Sequence, residues 1–351
     1  QSPLPASSTL TFMVAGVEDL AGNAVIPGST QFTTASGPDF TGPQASRSNP
    51  FSGATNVPVT TAITLELTEP IDTTSVTATS VQIRDTTLGQ MLAGTLSLDP
   101  GGRLISFVPQ GPLAVNHSHS LTVSGLRDLA GNVGGFFFAS FSTAFEGDTT
   151  PPQVTSVNPI DTLTGVGIDT RIRVGFTEAI QSRSVDHIAL LAGGQLVPVQ
   201  PTLSNGNQLV MLQPLSFLTP NTVYTLQIGT GVQDLAGNAL PTALTTTFTT
   251  GTGTDTSNPT VPLVDLVNGA VNVPTNVLAR FLFSEPIDPL TVTPSTVTVR
   301  TQSGGIIAPG QLVVAPNGLL VTFIPTSPLL PDTTYQAFVS GVTDVVGRSA
   351  F

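Results

Sequence analysis

Cysteine, lysine and tryptophan are all absent from the 351 residues. Without cysteine there is no disulfide framework and no thiol chemistry, although secretion is not thereby excluded. Without lysine every cation is an arginine, and Lys–Asn isopeptide cross-links, which need an amine, are ruled out. Charged residues make up only 9% of the chain, and 22 acids against 10 bases leave a net charge of −12. Nucleic acid and anionic lipid are poor partners for such a surface, whereas divalent cations suit it. No apolar run reaches membrane-spanning length, so no membrane insertion is expected. No signal peptide is visible and the first residue is Gln, so the chain reads as mature or as part of something longer.

What the chain has in quantity is Thr, Ser, Gly, Pro, Val and Leu, the composition of short strands joined by tight turns. It also repeats itself. The phrase Asp-Leu-Ala-Gly-Asn starts at residues 19, 128 and 234, and Asp-Val-Val-Gly-Arg starts at 344, in steps of 109, 106 and 110 residues. The stretches LTEPID (67–72), FTEAIQ (176–181) and FSEPID (283–288) follow the same rhythm. A period of about 110 residues means one domain per repeat rather than a solenoid turn.

Within 148–252, seven short strands are predicted. Ile172, Val174 and Phe176 alternate inward against Arg171, Arg173 and Gly175, and Tyr224, Leu226 and Ile228 alternate likewise. The same inward face recurs as Ile63, Leu65, Leu67 and as Ala279, Phe281, Phe283. Period-2 patterning with frequent turn signals predicts an all-β chain of tandem immunoglobulin-like antiparallel β-sandwiches arranged as an elongated rod. LTPNTVY (218–224) and LLPDTTY (329–335) share the spacing of a tyrosine corner, in which the phenol bonds backbone upstream; His119 and Leu10 hold the matching positions elsewhere. The domains expected are 37–147, 148–252 and 253–351, the last without its closing strand, preceded by the final strands of another repeat in 1–36. Such ends fit either a window on a longer array or strand exchange between neighbouring chains.

The order P-x-x-x-x-x-V, F-[ST]-E-x-I, L-x-P-x-T-x-Y, D-x-A-G-N and a closing F-T-T resembles the bacterial Ig-like domains of secreted and cell-surface proteins, S-layer proteins among them. The resemblance covers essentially the whole chain. It implies a module used for spacers, stalks and assembly alike, and it does not select among these.

The repeated phrase has two readings. In the first it is a tight turn between strands F and G, in which Asp bonds backbone amides, Gly supplies a positive φ, and Leu and Ala cover the core end. In the second it is part of a calcium site. The B–C and F–G loops share one pole of such a sandwich, and the incoming linker enters there. Glu69 and Asp72 close strand B beside Asp128 and Asn132, with Asp39 on the linker. Glu178, Asp234 and Asn238 repeat the set with Asp148 on its linker (Glu146 also lies there), and Glu285, Asp288 and Asp344 repeat it with Asp255. Oxygen donors in that number fit Ca2+. Two departures are plain: Gln181 stands where Asp72 and Asp288 stand, and Arg348 replaces the Asn.

Catalytic patterns are missing. There is no Gly-x-Ser-x-Gly, no His-Glu-x-x-His and no phosphate loop, and an active site is expected once per chain rather than once per repeat. His117 and His119 share a strand face and could be half of a metal site. Sugar-binding sandwiches stack ligands on exposed Trp or Tyr, and here Trp is absent and both Tyr serve corners. The run GGFFFASF (134–141) is either a strand covered on both sides or an exposed apolar ridge. The function expected is non-enzymatic: an extracellular structural protein, secreted or at the cell surface, that forms a filament, surface layer or stalk with further copies of itself. The stalk of an adhesin and the accessory array of a secreted enzyme are the alternatives.

Overall fold

The computed structural model describes residues 4–18, 24, 26–144, 148–261, 263, 264 and 266–350. The first copy of the repeated phrase (19–23) and Glu146 lie outside these residues.

A hairpin comes first: β1 (Thr9–Val14) pairs antiparallel with β2 (Gly28–Thr33). Phe12, Met13 and Phe32 on it are exposed. The first repeat has nine strands: β3 (Ala45–Asn49), β4 (Ala54–Val57), β5 (Ile63–Leu67), β6 (Val81–Asp85), β7 (Gln90–Met91), β8 (Gly94–Leu98), β9 (Leu104–Pro109), β10 (Ser118–Val123) and β11 (Phe137–Thr143). They form two sheets, β3-β5-β9-β8 and β4-β11-β10-β6-β7. All pairs are antiparallel except β4 with β11.

The second repeat copies this with β12 (Val154–Asn158), β13 (Leu163–Val166), β14 (Ile172–Phe176), β15 (Ile188–Ala192), β16 (Gln195–Leu196), β17 (Val199–Ser204), β18 (Leu209–Pro214), β19 (Val223–Ile228) and β20 (Leu244–Thr250). Its sheets are β12-β14-β18-β17 and β13-β20-β19-β15-β16, again with one parallel pair, β13 with β20. The seven strands expected become nine because short strands, β13 and β16, extend the ends of the second sheet. The third repeat holds β21 (Leu263–Val264), β22 (Ala279–Leu282), β23 (Val297–Thr301), β24 (Gly310–Val314), β25 (Leu320–Pro325) and β26 (Tyr335–Val339). They pair as β21-β22-β25-β24 and β23-β26.

Each repeat buries its own core between its two sheets, as period-2 alternation requires. Ile63, Leu65 and Leu67 face the first core, Ile172, Val174 and Phe176 the second, and Ala279, Phe281 and Phe283 the third. Both tyrosine corners form. The Tyr224 hydroxyl accepts a hydrogen bond from the Thr219 backbone N–H at 2.8 Å, and the Tyr335 hydroxyl accepts one from Leu330 at 2.9 Å. His119 takes the corner place in the first repeat. It stacks on Phe141 at 5.2 Å, as Tyr224 stacks on Phe248 at 5.4 Å, but both its ring nitrogens are buried without hydrogen-bond partners, Nε2 lying 3.9 Å from the Asp85 carboxylate. Asp85 sits beside it and is hydrogen-bonded to His117 at 2.6 Å.

Two details differ from the strand alternation alone. Gly175 faces outward on β14 yet is buried, because Leu290 of the third repeat lies over it. In the Phe run, Phe137 packs on the first core and Phe141 belongs to it, while Phe136 and Phe138 are exposed. The run is therefore half core and half exposed ridge, not a strand covered on both sides.

Candidate metal centres at the repeat junctions

The turn chemistry of the repeated phrase organises each pole. Asp128 Oδ1 accepts from the Asn132 backbone N–H at 2.8 Å. Asp234 Oδ1 accepts from Gly237 and Asn238, and Asp344 Oδ1 from Val346, Gly347 and Arg348. The glycine adopts φ of +90°, +96° and +96° in the three copies, a left-handed conformation that a side chain would strain. The tight-turn reading is thus realised in all three described copies.

One oxygen of the Asp makes the turn, and the other faces the pole. There it meets the acids expected from the sequence. Asp39, Glu69 and Asp128 form one cluster, Asp148, Glu178 and Asp234 a second, and Asp255, Glu285 and Asp344 a third. In each, one carboxylate oxygen per residue lies within 4.8 Å of the others. The linker, the turn after strand B and the F–G loop supply one acid each.

Close like charges in a desolvated place favour the protonated form. Burial and the neighbouring carboxylates raise Glu69 and Glu285 above the ordinary glutamate range. Glu178 is pushed up to about 7 by burial, then by Asp148 and Asp234. Asp344 is also raised, by burial first, and its Oδ2 is buried with no hydrogen-bond partner.

Asp72 and Asp288 do not join the clusters. Each caps a 3₁₀ turn three residues after the cluster glutamate, accepting from Thr74 and Leu290 respectively. Asp288 is buried and also pairs with Arg173 of the second repeat. Asn132 and Asn238 stand at the clusters as donors. Each amide bonds the F–G aspartate at 2.7 Å and reaches a linker carbonyl, Asp39 for Asn132 and Asp148 for Asn238. The Arg348 side chain keeps only the linker half of this in the third repeat: its Nε donates to the Asp255 carbonyl at 2.9 Å, and Asp344 Oδ2 is left without an amide. The substitution of Asn by Arg therefore keeps the clamp on the linker.

The second residue of the phrase has a role that the sequence reading misplaces. Leu235 does not cover the core of its own repeat. It is buried in the core of the first repeat, with Ala179 packed beside it. Val345 is likewise buried in the core of the second repeat, with Val346 against it. The receiving poles hold these plugs by their backbone. Thr61 Oγ1 donates to the Leu235 carbonyl at 3.0 Å; Thr170 Oγ1 and Asn158 Nδ2 donate to the Val345 carbonyl, both at 2.9 Å. Ion pairs frame each junction: Arg47 with Asp186 at 2.9 Å in the first, Arg173 with Asp288 in the second. The recurrence of an apolar residue at this turn position was the available signal, but it does not say which core receives it.

An open cleft of about 490 Å³ lies at the first junction, between Phe51 and Pro58 above and Asp148, Glu178 and Leu235 below. It leaves the second cluster accessible to solvent ions. Among the described residues, His117, His119 and Asp85 do not form a cluster of the kind found at the poles.

The profile of a bacterial Ig-like domain matches residues 39–143, 148–250 and 255–351. The chain belongs to that family. These bacterial Ig-like repeats have no match among curated proteins. Among solved structures, the N-terminal part of the bacterial S-layer protein SbsC is similar over 60% of this chain at 11% identity and a TM-score of 0.26. The chain spans 44% of that structure. A chimeric titin Z1Z2 matches over 62% of this chain and 100% of its own length, at 13% identity and a TM-score of 0.24. An L,D-transpeptidase from Mycobacterium smegmatis matches over 46% of this chain and 61% of its own, at 18% identity and a TM-score of 0.22. The family assignment rests on the three profile matches and not on these distant structures. Among the described residues, no helix is long and apolar enough to cross a membrane.

Proposed function

We propose that this tandem Ig-like array is a non-enzymatic structural protein, secreted or held at the cell surface. Its repeats stack pole to pole as a rod, which further copies of the same chain extend into a filament, surface layer or stalk. The observation that carries this reading is the seating of Leu235 and Val345, each in the core of the preceding repeat. A repeat that closes its neighbour's core cannot swivel freely, because tilting would uncover that side chain and part its carbonyl from the Thr hydroxyl.

Calcium belongs to the same reading. Every cluster offers only oxygen donors, drawn from three segments that meet at a junction, and calcium takes six to eight such ligands. Burial and close like charges leave these carboxylates to be neutralised by a proton or by a cation, and Oδ2 of buried Asp344 has no hydrogen-bond partner of its own. In the first two repeats no arginine pairs with a cluster acid. A bound Ca2+ would tie linker, B–C turn and F–G loop together. Small-angle scattering and electron microscopy of the chain with calcium test the reading. Extended, uniform beaded particles or filaments are expected. A distribution of compact and bent particles, as from freely jointed beads, would overturn it.

A further inference from the structure

The first repeat carries the same plug as the other two, but among the described residues nothing covers it. Leu129 is 77% exposed, whereas Leu235 and Val345, at the same turn position, are 7% and 5% exposed. Its loop is already in seated form: Gly131 has the same left-handed φ, and Asp128 holds Asn132 as Asp234 holds Asn238. Asn132 also clamps the linker, on which Phe40 is 82% exposed.

The acid that would meet a neighbour's arginine is in place too. Asp72 holds the position of Asp288, and its carboxylate caps the 3₁₀ turn by accepting from Thr74 on one oxygen. Among the described residues it has no ion pair. At the second junction, the corresponding Asp288 is covered by Arg173 of the repeat above.

We infer that the pole formed by Leu129, Phe40 and Asp72 is a docking face for the lower pole of another Ig-like repeat of this kind. The inference rests on the pole-to-pole reading above. The occupant is defined by the two seated junctions. It needs an opening in its core end that takes the apolar turn residue, a Thr hydroxyl aimed at that residue's carbonyl, and an arginine on the outer face of the adjoining sheet. The poles of the first and second repeats meet this description with Thr61 and Arg47, and with Thr170 and Arg173. The third repeat has Val277 where those threonines stand, so its pole fits less well. The hairpin β1–β2 has the pairing of the last two strands of a repeat, β10–β11 and β19–β20. Asp39 follows β2 by six residues, as Asp148 follows β11 and Asp255 follows β20 by five. The occupant is therefore the repeat to which that hairpin belongs.

The absence of native cysteine makes the test direct. Leu129→Cys and Leu235→Cys are made separately in the present chain. Leu129→Cys is also made in an extended chain, in which a second copy of residues 148–254, whose lower pole carries Thr170 and Arg173, replaces residues 1–38 directly ahead of Asp39. Labelling by a maleimide is timed in each. In the present chain Cys at 129 should react as an exposed thiol and Cys at 235 slowly. In the extended chain, Cys at 129 should slow about tenfold or more, because only the opened junction reacts. Adding Asp72→Arg there should restore much of the rate. Fast labelling at 129 in the extended chain, with 235 still protected, would overturn the inference and leave the pole-to-pole reading standing. Fast labelling at 235 would overturn that reading itself. Protection of 129 in the present chain that grows with concentration would make a second copy the occupant, against the assignment.

Discussion

Thr61 and Leu235 are 174 residues apart in the chain, yet the hydroxyl of one donates to the carbonyl of the other at 3.0 Å, inside a junction where both are buried. The bond fixes the depth at which the second repeat's leucine enters the first repeat's core. Leu235→Ala should therefore loosen the junction rather than unfold either repeat. Removing a buried leucine side chain costs about 2–5 kcal/mol, here charged to the contact between repeats. Hydrogen exchange should rise around β4 and at 234–238 while the amides of β14 and β18 stay protected. Uniform loss of protection through the second repeat would contradict this placement of the side chain.

The acidic clusters give a pH dependence whose sign can be worked out. The folded-state value of Glu178, about 7, lies above its ordinary 4.5. Its contribution to stability is thus fully present below 4.5 and is lost as pH rises through about 7. In chelator, the melting temperature should fall over that window, and Glu178→Gln should flatten the second repeat's share of the fall. Calcium should remove the fall, because a bound cation takes over from the proton, and it should raise the melting temperature most at the alkaline end. Identical melting curves with calcium and with chelator above neutral pH would end the calcium reading.

Most of this site is legible in the sequence, and the part that is not has a physical reason. Asp39, Glu69 and Asp128 recur at matching offsets, and the sandwich topology puts their three segments at one pole. Asp72 is equally acidic and only three residues from Glu69. What separates them is the 3₁₀ turn Thr73–Ser75 that follows Asp72: it takes the Asp72 carboxylate as its cap, while Glu69 is left facing the pole. Alternation along β14 marks Arg173 and Gly175 as outward, and it does so correctly. It does not reveal that the outward face is covered by another repeat. The plug is hidden for the same reason, because one sequence carries no record of which core an apolar turn residue enters.

Arg173 provides a test at the second junction. Asp288 is buried, and burial raises its carboxyl above the usual range while the arginine opposes that rise. Arg173→Ala leaves an uncompensated buried acid, a change that typically costs about 3–5 kcal/mol. The cost should grow with pH, as protonation ceases to neutralise Asp288. Adding Asp288→Asn should recover part of the loss, because the amide carries no charge to strand. Denaturant melts of the single and double variants at acid and neutral pH check both points. An Arg173→Ala chain as stable as the original at neutral pH would mean that the pair contributes nothing to the junction.

The first repeat departs from its siblings at the corner residue. His119 fills the space of Tyr224 and Tyr335 but cannot make their hydrogen bond to backbone, and its buried ring holds two unsatisfied nitrogens. Burial depresses its basicity, and the partial opposition of Asp85 does not restore it. A base with a lowered folded-state value contributes stability that is present above its ordinary 6.5 and is lost as pH falls below it, because the unfolded chain takes the proton more readily. His119→Tyr removes that proton and offers a hydroxyl to the backbone N–H of Ala114, the counterpart of Thr219. The gain should be about 1 kcal/mol near neutral pH, the usual net worth of such a bond, and larger in acid. The melting temperature of the first repeat, followed by exchange protection in β10, should rise in the variant and lose its acid slope. A variant that melts lower at every pH would show that the pocket is shaped for imidazole, with Asp85 and His117 part of that shape.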